Sequence, residues 1–151
     1  MLASERLAEL GIELPVAAAP LGAYVPARRI GSQVLTSGQL PITADGGIIT
    51  GRLGADLDVA AGQRAARAAA LKAIAAAVTQ VGHVDEIREI VKVVVYVCAT
   101  ASFTDHAKVA NGASDLLIEI FGDAGRHVRS AVGVASLPAG AAVEVELVVG
   151  I

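Results

Sequence analysis

The run Ile90-Val91-Lys92-Val93-Val94-Val95-Tyr96-Val97 consists almost entirely of β-branched residues. Such a run predicts a strand, extending over Ile87 to Cys98, that is buried on at least one face and largely on both. Because successive side chains of a strand alternate, Val93 and Val97 lie on one face and Tyr96 on the other. A sheet that contains this strand therefore needs cover on both sides.

The sequence around this strand predicts two long helices and two blocks of strands. In chain order the predicted elements are a short helix (Ala3 to Leu10), strands at Arg29 to Leu40 and Ile48 to Arg52, a helix from Asp56 or Asp58 to Gln80, the Val-rich strand, a helix from a capping box at Ser102 to Asp105 up to Gly122, and strands at Val128 to Ala135 and Ala142 to Val149. This order predicts an α+β fold, a mixed sheet with the two long helices on one face.

The 151 residues are expected to form a single domain, with residues 1–19 as an accessory N-terminal extension and residues 20–151 as the core. No third long helix is available to cover the second face of the sheet. Packing against other copies of the chain is the simplest cover, and we therefore expect a homo-oligomer.

The composition excludes several classes of protein. A hydrophobic fraction of 54% with only 18% charged residues is too apolar for a disordered chain. A net charge of -3 and an aromatic fraction of 3% argue against nucleic-acid binding, which relies on basic patches and stacking side chains. No apolar run is long enough to span a membrane.

The cysteine and the histidines give no support for a metal or cofactor site. Cys98 is the only cysteine, which excludes a disulfide within the chain and a thiolate cluster. His83, His106 and His127 have no metal-ligand spacing. The segment Met1 to Leu14 predicts an amphipathic helix rather than a targeting signal. We expect a cytoplasmic protein without metal or cofactor.

Arg129 lies within an otherwise apolar strand, and such an arginine needs an anion if it is buried. One interpretation is a structural salt bridge with Glu144 or Glu146. The other is a substrate carboxylate, which the planar guanidinium can bind through two parallel hydrogen bonds. Glu144 and Glu146 lie two residues apart and share one face of the last strand. They form either a solvated edge or a site where a carboxylate orients a water molecule.

Four segments together resemble the Rid family of reactive intermediate (enamine/imine) deaminases, formerly YjgF-type proteins and also labelled endoribonuclease L-PSP. They are His127 to Pro138, Val143 to Glu146, Thr36 to Pro41 and Gly22 to Tyr24, and the resemblance extends from about Pro20 to Val149. It implies a chorismate-mutase-like fold and a homotrimer with three clefts between subunits.

The resemblance also implies a role for five residues. Arg129 matches the arginine that pairs with the substrate carboxylate, and Glu144 matches the acid that positions the hydrolytic water. Gly38 matches a backbone contact in the cleft, Tyr24 matches the tyrosine that closes the site, and Asn111 matches an asparagine near the cleft. The implied chemistry needs neither metal nor cofactor.

The chain departs from the family pattern around the site. Gly22-Ala23-Tyr24-Val25-Pro26-Ala27 stands where Gly-Pro-Tyr-Ser-Gln-Ala is usual, His127-Val128-Arg129 stands where Pro-Ala-Arg is usual, and Ala131 stands where Cys or Thr is frequent. The chain thus resembles a less characterised side branch of the family, and its altered lining leaves the substrate open.

The expected function is the hydrolysis of a small 2-imino or 2-enamino acid to a 2-keto acid and ammonia, as in a 2-iminobutanoate/2-iminopropanoate-type deaminase. The expected partners are a small carboxylate-bearing substrate and two further copies of the chain, without membrane or nucleic acid. A non-catalytic binding protein for a small carboxylic metabolite is the alternative, and an endoribonuclease is a third, weaker one.

Overall fold

The computed structural model describes residues 1–151 and contains three α-helices and five strands. The helices are α1 (Ala3–Glu9), α2 (Val59–Val81) and α3 (His106–Phe121), and the strands are β1 (Ala27–Ile30), β2 (Gln33–Thr36), β3 (Glu89–Cys98), β4 (Val128–Val134) and β5 (Val143–Gly150). The strands form one sheet in the order β1-β2-β5-β3-β4. Only the β3–β4 pair is parallel, so the sheet is mixed as predicted.

The two long helices cover one face of the sheet, which confirms the predicted α+β arrangement. Val93 and Val97 of β3 are fully buried beneath them, as is Val145 of β5. Seven alanines of α2 are fully buried too: Ala65, Ala66, Ala69, Ala70, Ala73, Ala76 and Ala77. Their small side chains let α2 lie close to the sheet, which is why a chain with few aromatic residues still fills its core.

Glycines set the distance between α2 and α3. A methyl group at Gly112 of α3 would overlap the carbonyl oxygen of Gln63, and one at Gly62 of α2 would press on Val109. The two helices therefore need glycine at these positions in order to approach so closely. This close contact fixes the position of α3, whose N-terminal half faces β4.

The other face of the sheet has no cover within the chain. Val128 and Val132 of β4 expose 65% and 44% of their surface there. Tyr96 lies on the same face, and its hydroxyl donates a hydrogen bond to Glu146 Oε1 at 2.9 Å. This face thus combines uncovered apolar side chains with polar ones.

Three predicted elements differ from the structure. The strand predicted at Arg29 to Leu40 is the hairpin β1–β2, because Gly31 adopts a left-handed conformation (φ 60°) and turns the chain. The strand predicted at Ile48 to Arg52 is reduced to isolated bridges, one of them between Ile42 and Ile48. The capping box at Ser102 to Asp105 is wrong, because α3 begins one turn later than that motif requires.

The N-terminal helix docks on the body of its own chain. Ala3 and Leu7 belong to the hydrophobic core, and Arg6 Nε donates to the Glu119 carbonyl oxygen at 2.8 Å. Ser4 donates from its backbone nitrogen and its hydroxyl to the two carboxylate oxygens of Asp85, at 2.8 and 2.6 Å. These bonds lower the pKa of Asp85. None of the three helices is long and apolar enough to span a membrane.

Candidate functional site

Arg129 lies on β4, and its guanidinium extends to α3. Nη1 donates to Asn111 Oδ1 at 2.8 Å and to Ser114 Oγ at 3.1 Å, and Nη2 donates to the Ala107 carbonyl oxygen at 3.3 Å. No ion pair of the chain includes Arg129. The structural salt bridge with Glu144 or Glu146 is therefore wrong.

The partners of Arg129 are all neutral, and they occupy only part of its hydrogen-bonding capacity. A guanidinium carries five N–H groups, of which three donate to the chain. The Nε–H group and one Nη2–H group remain, and Nε and Nη2 flank the same edge of the planar group. That edge can bind a carboxylate through two parallel hydrogen bonds.

A single face of α3 holds Arg129 in place. Ala107, Asn111 and Ser114 are four and three residues apart, the spacing that brings side chains together on one side of a helix. The sequence prediction found Asn111 but missed Ser114. The spacing from Asn111 was the signal that could have revealed it.

His127 extends this network behind Arg129. Its Nδ1 lies 2.6 Å from the Gly125 carbonyl oxygen, and its Nε2 lies 2.8 Å from Ser114 Oγ. A carbonyl oxygen only accepts, so we assign the proton to Nδ1 and let Nε2 accept from the Ser114 hydroxyl. Ser114 can then accept from Arg129 with its own oxygen. The sequence alone predicted no role for His127.

Glu144 lies on β5, on the uncovered face of the sheet. Burial raises the pKa of its carboxyl group, and the negative charge of Glu146 raises it further. Gly38 packs directly against this carboxyl group, so that a methyl group at residue 38 would overlap Oε1. Backbone hydrogen bonds of 2.8 and 3.0 Å between Gln39 and Val145 hold the two segments side by side.

Tyr24 and Gly38 border one small cavity of about 150 Å³ next to Glu144. The Tyr24 hydroxyl accepts a hydrogen bond from the Leu21 backbone nitrogen at 3.0 Å, and 47% of the Tyr24 surface is exposed. Gly38 therefore lies between the carboxyl group of Glu144 and the cavity that Tyr24 borders. We call Tyr24, Gly38 and Glu144 the Glu144 group.

Arg129 and Asn111 form a second group, which lies apart from the first. Arg129 pairs in register with Val93, which is buried under the helices, whereas Glu144 pairs with Tyr96 on the opposite face. Their Cα atoms are two strand spacings and three residues apart, about 10 Å in each direction, which places them about 14 Å from each other. One small molecule cannot contact both groups of the same chain.

No group of three or more His, Cys, Asp or Glu side chains lies close enough together to hold a metal ion. Cys98 is buried and has only a weak contact of 3.9 Å with the Ala135 carbonyl oxygen. The chemistry available at these positions is thus that of a guanidinium, carboxylates and hydroxyl groups.

Comparison with known families gives a match over almost the whole chain. Residues 4–150 match the family model described as YjgF/chorismate mutase-like, putative endoribonuclease. The chain belongs to the YjgF family. Its mixed sheet with two long helices on one face is the chorismate-mutase-like fold that the sequence motifs predicted.

Individual YjgF relatives are similar along most of their length. Protein TCP17 of Trypanosoma cruzi is 49% identical over 144 residues, which cover 95% of this chain and 90% of that protein. A crystal structure described as a putative endoribonuclease from Shewanella oneidensis is 39% identical, with a TM-score of 0.95 and full coverage of both chains. Escherichia coli TdcF, solved with bound serine, is 28% identical, with a TM-score of 0.64 and coverage of 89% of this chain and 93% of TdcF.

Proposed function

We propose that this YjgF protein hydrolyses a small 2-imino or 2-enamino acid to the 2-keto acid and ammonia. The observation that carries the proposal is the state of Arg129. Its charge meets only neutral oxygens in the chain, and one edge of its guanidinium has no partner there. An anion of the right size would compensate that charge, and a 2-imino acid carries a carboxylate directly beside its reactive carbon.

Each residue has a definite part in the proposed reaction. Arg129 binds the substrate carboxylate, and its charge makes the adjacent imine carbon more electrophilic. Ionised Glu144 accepts a hydrogen bond from a water molecule and removes a proton as the water oxygen bonds to that carbon. The electron pair of the C=N bond moves to nitrogen, which receives the proton that Glu144 took from the water. The hydroxyl proton of the resulting carbinolamine then passes through Glu144 to the amino group, the C–N bond breaks, ammonia leaves and the carbonyl group of the keto acid forms. An enamino acid first tautomerises to the imino acid.

We place the reaction in clefts between subunits. Arg129 with Asn111 and Glu144 with Gly38 and Tyr24 lie on opposite faces of one sheet. Two copies of the chain are thus needed for one complete site. The uncovered apolar face around Val128 supports association of copies, and we propose the homotrimer that the family resemblance implies.

TdcF, the relative solved with bound serine, supports a small carboxylate ligand for this fold. The free Cys98 fits a reducing compartment, and we place the enzyme in the cytoplasm. The endoribonuclease name of other relatives is less well supported, because a net charge of -3 opposes RNA binding.

The decisive test measures keto acid and ammonia release from imino acids that an amino acid oxidase generates in the assay. The wild type should exceed the uncatalysed rate, and Arg129→Ala and Glu144→Gln should each lose about 100-fold. Co-refolding these two variants should restore activity in mixed oligomers, because some clefts then combine an intact Arg129 with an intact Glu144.

Wild-type binding of 2-keto acids without turnover would favour the alternative, a non-catalytic metabolite-binding protein. If the mixed oligomers stay inactive, the proposal that Arg129 and Glu144 of one site come from different chains is wrong.

A further inference from the structure

The cavity beside Glu144 has mostly apolar walls. It has a volume of about 150 Å³ and lies between the segment before β1 and the segment after β2. Its apolar walls include Ala18, Leu21, Pro26, Leu40, Ile42 and Ile48. No charged residue borders it, so a charged or strongly polar ligand group would lose its hydration there without compensation.

The two polar side chains at the cavity each make one hydrogen bond within the chain. The Tyr24 hydroxyl accepts from the Leu21 backbone nitrogen at 3.0 Å, and the buried Gln39 side chain donates from Nε2 to the Ser37 carbonyl oxygen at 3.2 Å. Eight of the twelve residues that line the cavity are apolar, so it offers a bound molecule mainly apolar surface.

The position of the cavity connects it to the proposed reaction. Gly38 borders the cavity and also packs against the carboxyl group of Glu144. A substrate carbon that is attacked by a water molecule on Glu144 thus lies near Gly38, which forms part of the cavity wall. The group attached to that carbon, the side chain of the imino acid, can extend into the cavity.

The volume indicates the size of that side chain. Apolar protein cavities of about 150 Å³ take up a molecule as large as benzene. The methyl group of an alanine-derived imino acid would leave most of this space empty, whereas an isobutyl or benzyl group would occupy it. Each methylene group that moves from water into such a space improves binding about fourfold.

We propose that this cavity receives the substrate side chain and makes the enzyme selective for imino acids with a branched aliphatic or phenyl group. The inference rests on the proposed deaminase function, because it takes its substrate from that proposal. A leucine-derived substrate buries three more carbons than an alanine-derived one. The expected preference in kcat/KM is therefore roughly 60-fold.

The test compares imino acids generated from leucine, phenylalanine and alanine with the wild type and with two variants that fill the cavity, Ala18→Leu and Ile42→Phe. Both variants should reduce the leucine-to-alanine ratio of kcat/KM to within about threefold of one. Val16→Phe is the matched control: Val16 is 87% exposed, does not border the cavity and lies close to Ala18 in sequence. It should keep the wild-type ratio.

A second measurement separates this inference from the function on which it rests. Calorimetry compares the binding of 4-methyl-2-oxopentanoate and pyruvate to the same four proteins, after their thermal unfolding has shown that they are folded. Tighter binding of the larger keto acid that the filling variants abolish supports the cavity, even if no protein turns over an imino acid. A wild type that binds both keto acids equally, or filling variants that keep the preference, would overturn the inference.

Discussion

Asn111 accepts a hydrogen bond from Arg129 through a neutral amide oxygen, with 2.8 Å between Oδ1 and Nη1. An aspartate at this position would have nearly the same shape and would complete an ion pair. The amide instead orients the guanidinium and leaves its positive charge available. An arginine that is held by neutral oxygens alone keeps its charge uncompensated within the chain.

Asn111→Asp should therefore weaken ligand binding without weakening the fold. The new carboxylate would pair with Arg129 and compete with the carboxylate of the ligand, so that the Kd for a 2-keto acid should rise about 10- to 100-fold. Calorimetric titration measures this change, and thermal unfolding should give an unchanged or higher Tm. Asn111→Ala, which adds no charge, should have a smaller effect. Equal affinities of Asn111→Asp and the wild type would contradict a carboxylate site at Arg129.

Gly38→Ala should affect catalysis through Glu144. The added methyl group overlaps the Glu144 carboxyl group and must displace it. We expect kcat for imino acid hydrolysis to fall by at least about tenfold, since the displaced carboxylate no longer holds water at the reacting carbon. Gly47→Ala is the control, because residue 47 contacts only the nearby exposed Asp45 and Thr43 side chains. A wild-type kcat in Gly38→Ala would separate Glu144 from the chemistry.

Glu144→Gln should stabilise the protein while it lowers turnover about 100-fold. Because the folded state raises the pKa of Glu144, its ionisation above pH 4.5 costs folding free energy, and this cost disappears as the pH falls below 4.5. Glutamine removes the cost, so Tm at pH 7 should rise by roughly 2 °C, a small shift because the side chain is only half-buried. At pH 4 the two proteins should unfold at similar temperatures. A lower Tm for Glu144→Gln at pH 7 would contradict this assignment.

The sequence predicted the sheet and the long helices because these follow from local patterns. The β-branched run of β3 and the alternation of β5 determine which side chains share a face. Asp58 and Gly82 mark the ends of α2, where the Asp58 side chain accepts from the Ala61 nitrogen at 2.8 Å and Gly82 has a φ of 90°. The same strand pattern drew attention to Arg129 and Glu144, and the family resemblance added Tyr24, Gly38 and Asn111; the roles of all five stay predictions.

What the sequence did not predict depends on a local turn and on contacts between distant segments. The hairpin at Gly31 requires a left-handed residue within what otherwise looks like one strand. The link from Arg129 through Ser114 to His127 requires the packing of α3 against β4. The separation of Arg129 and Glu144 onto opposite faces depends on the order of strands in the sheet, which no local pattern contains.

Leu7→Ala should lower stability and leave the site intact. Leu7 is 5% exposed within the hydrophobic core, so its truncation should cost about 2–3 kcal/mol in the free energy of unfolding. Leu2 lies in the same segment and is 54% exposed, and Leu2→Ala should change stability by less than about 0.5 kcal/mol. Denaturant unfolding measures both. The Kd for a 2-keto acid should stay unchanged in folded Leu7→Ala, and a lost affinity would make α1 part of the site.

Glu146→Gln should shift the pH dependence of activity toward lower pH. The proposed reaction needs ionised Glu144, so kcat/KM should fall as the pH decreases through the raised pKa of this group. The Glu146→Gln change removes the negative charge that raises the pKa of Glu144, whereas burial, the larger cause of the raised pKa, remains. The acid limb of the pH profile of kcat/KM should therefore shift to lower pH but keep its midpoint above pH 4.5.

Glutamine at residue 146 can still accept the hydrogen bond from Tyr96, so the change tests charge rather than packing. Tyr96→Phe removes that bond, keeps both carboxylates and should leave the limb at or above its wild-type position. An acid limb that is identical in Glu146→Gln and the wild type would mean that a group other than Glu144 controls the rate.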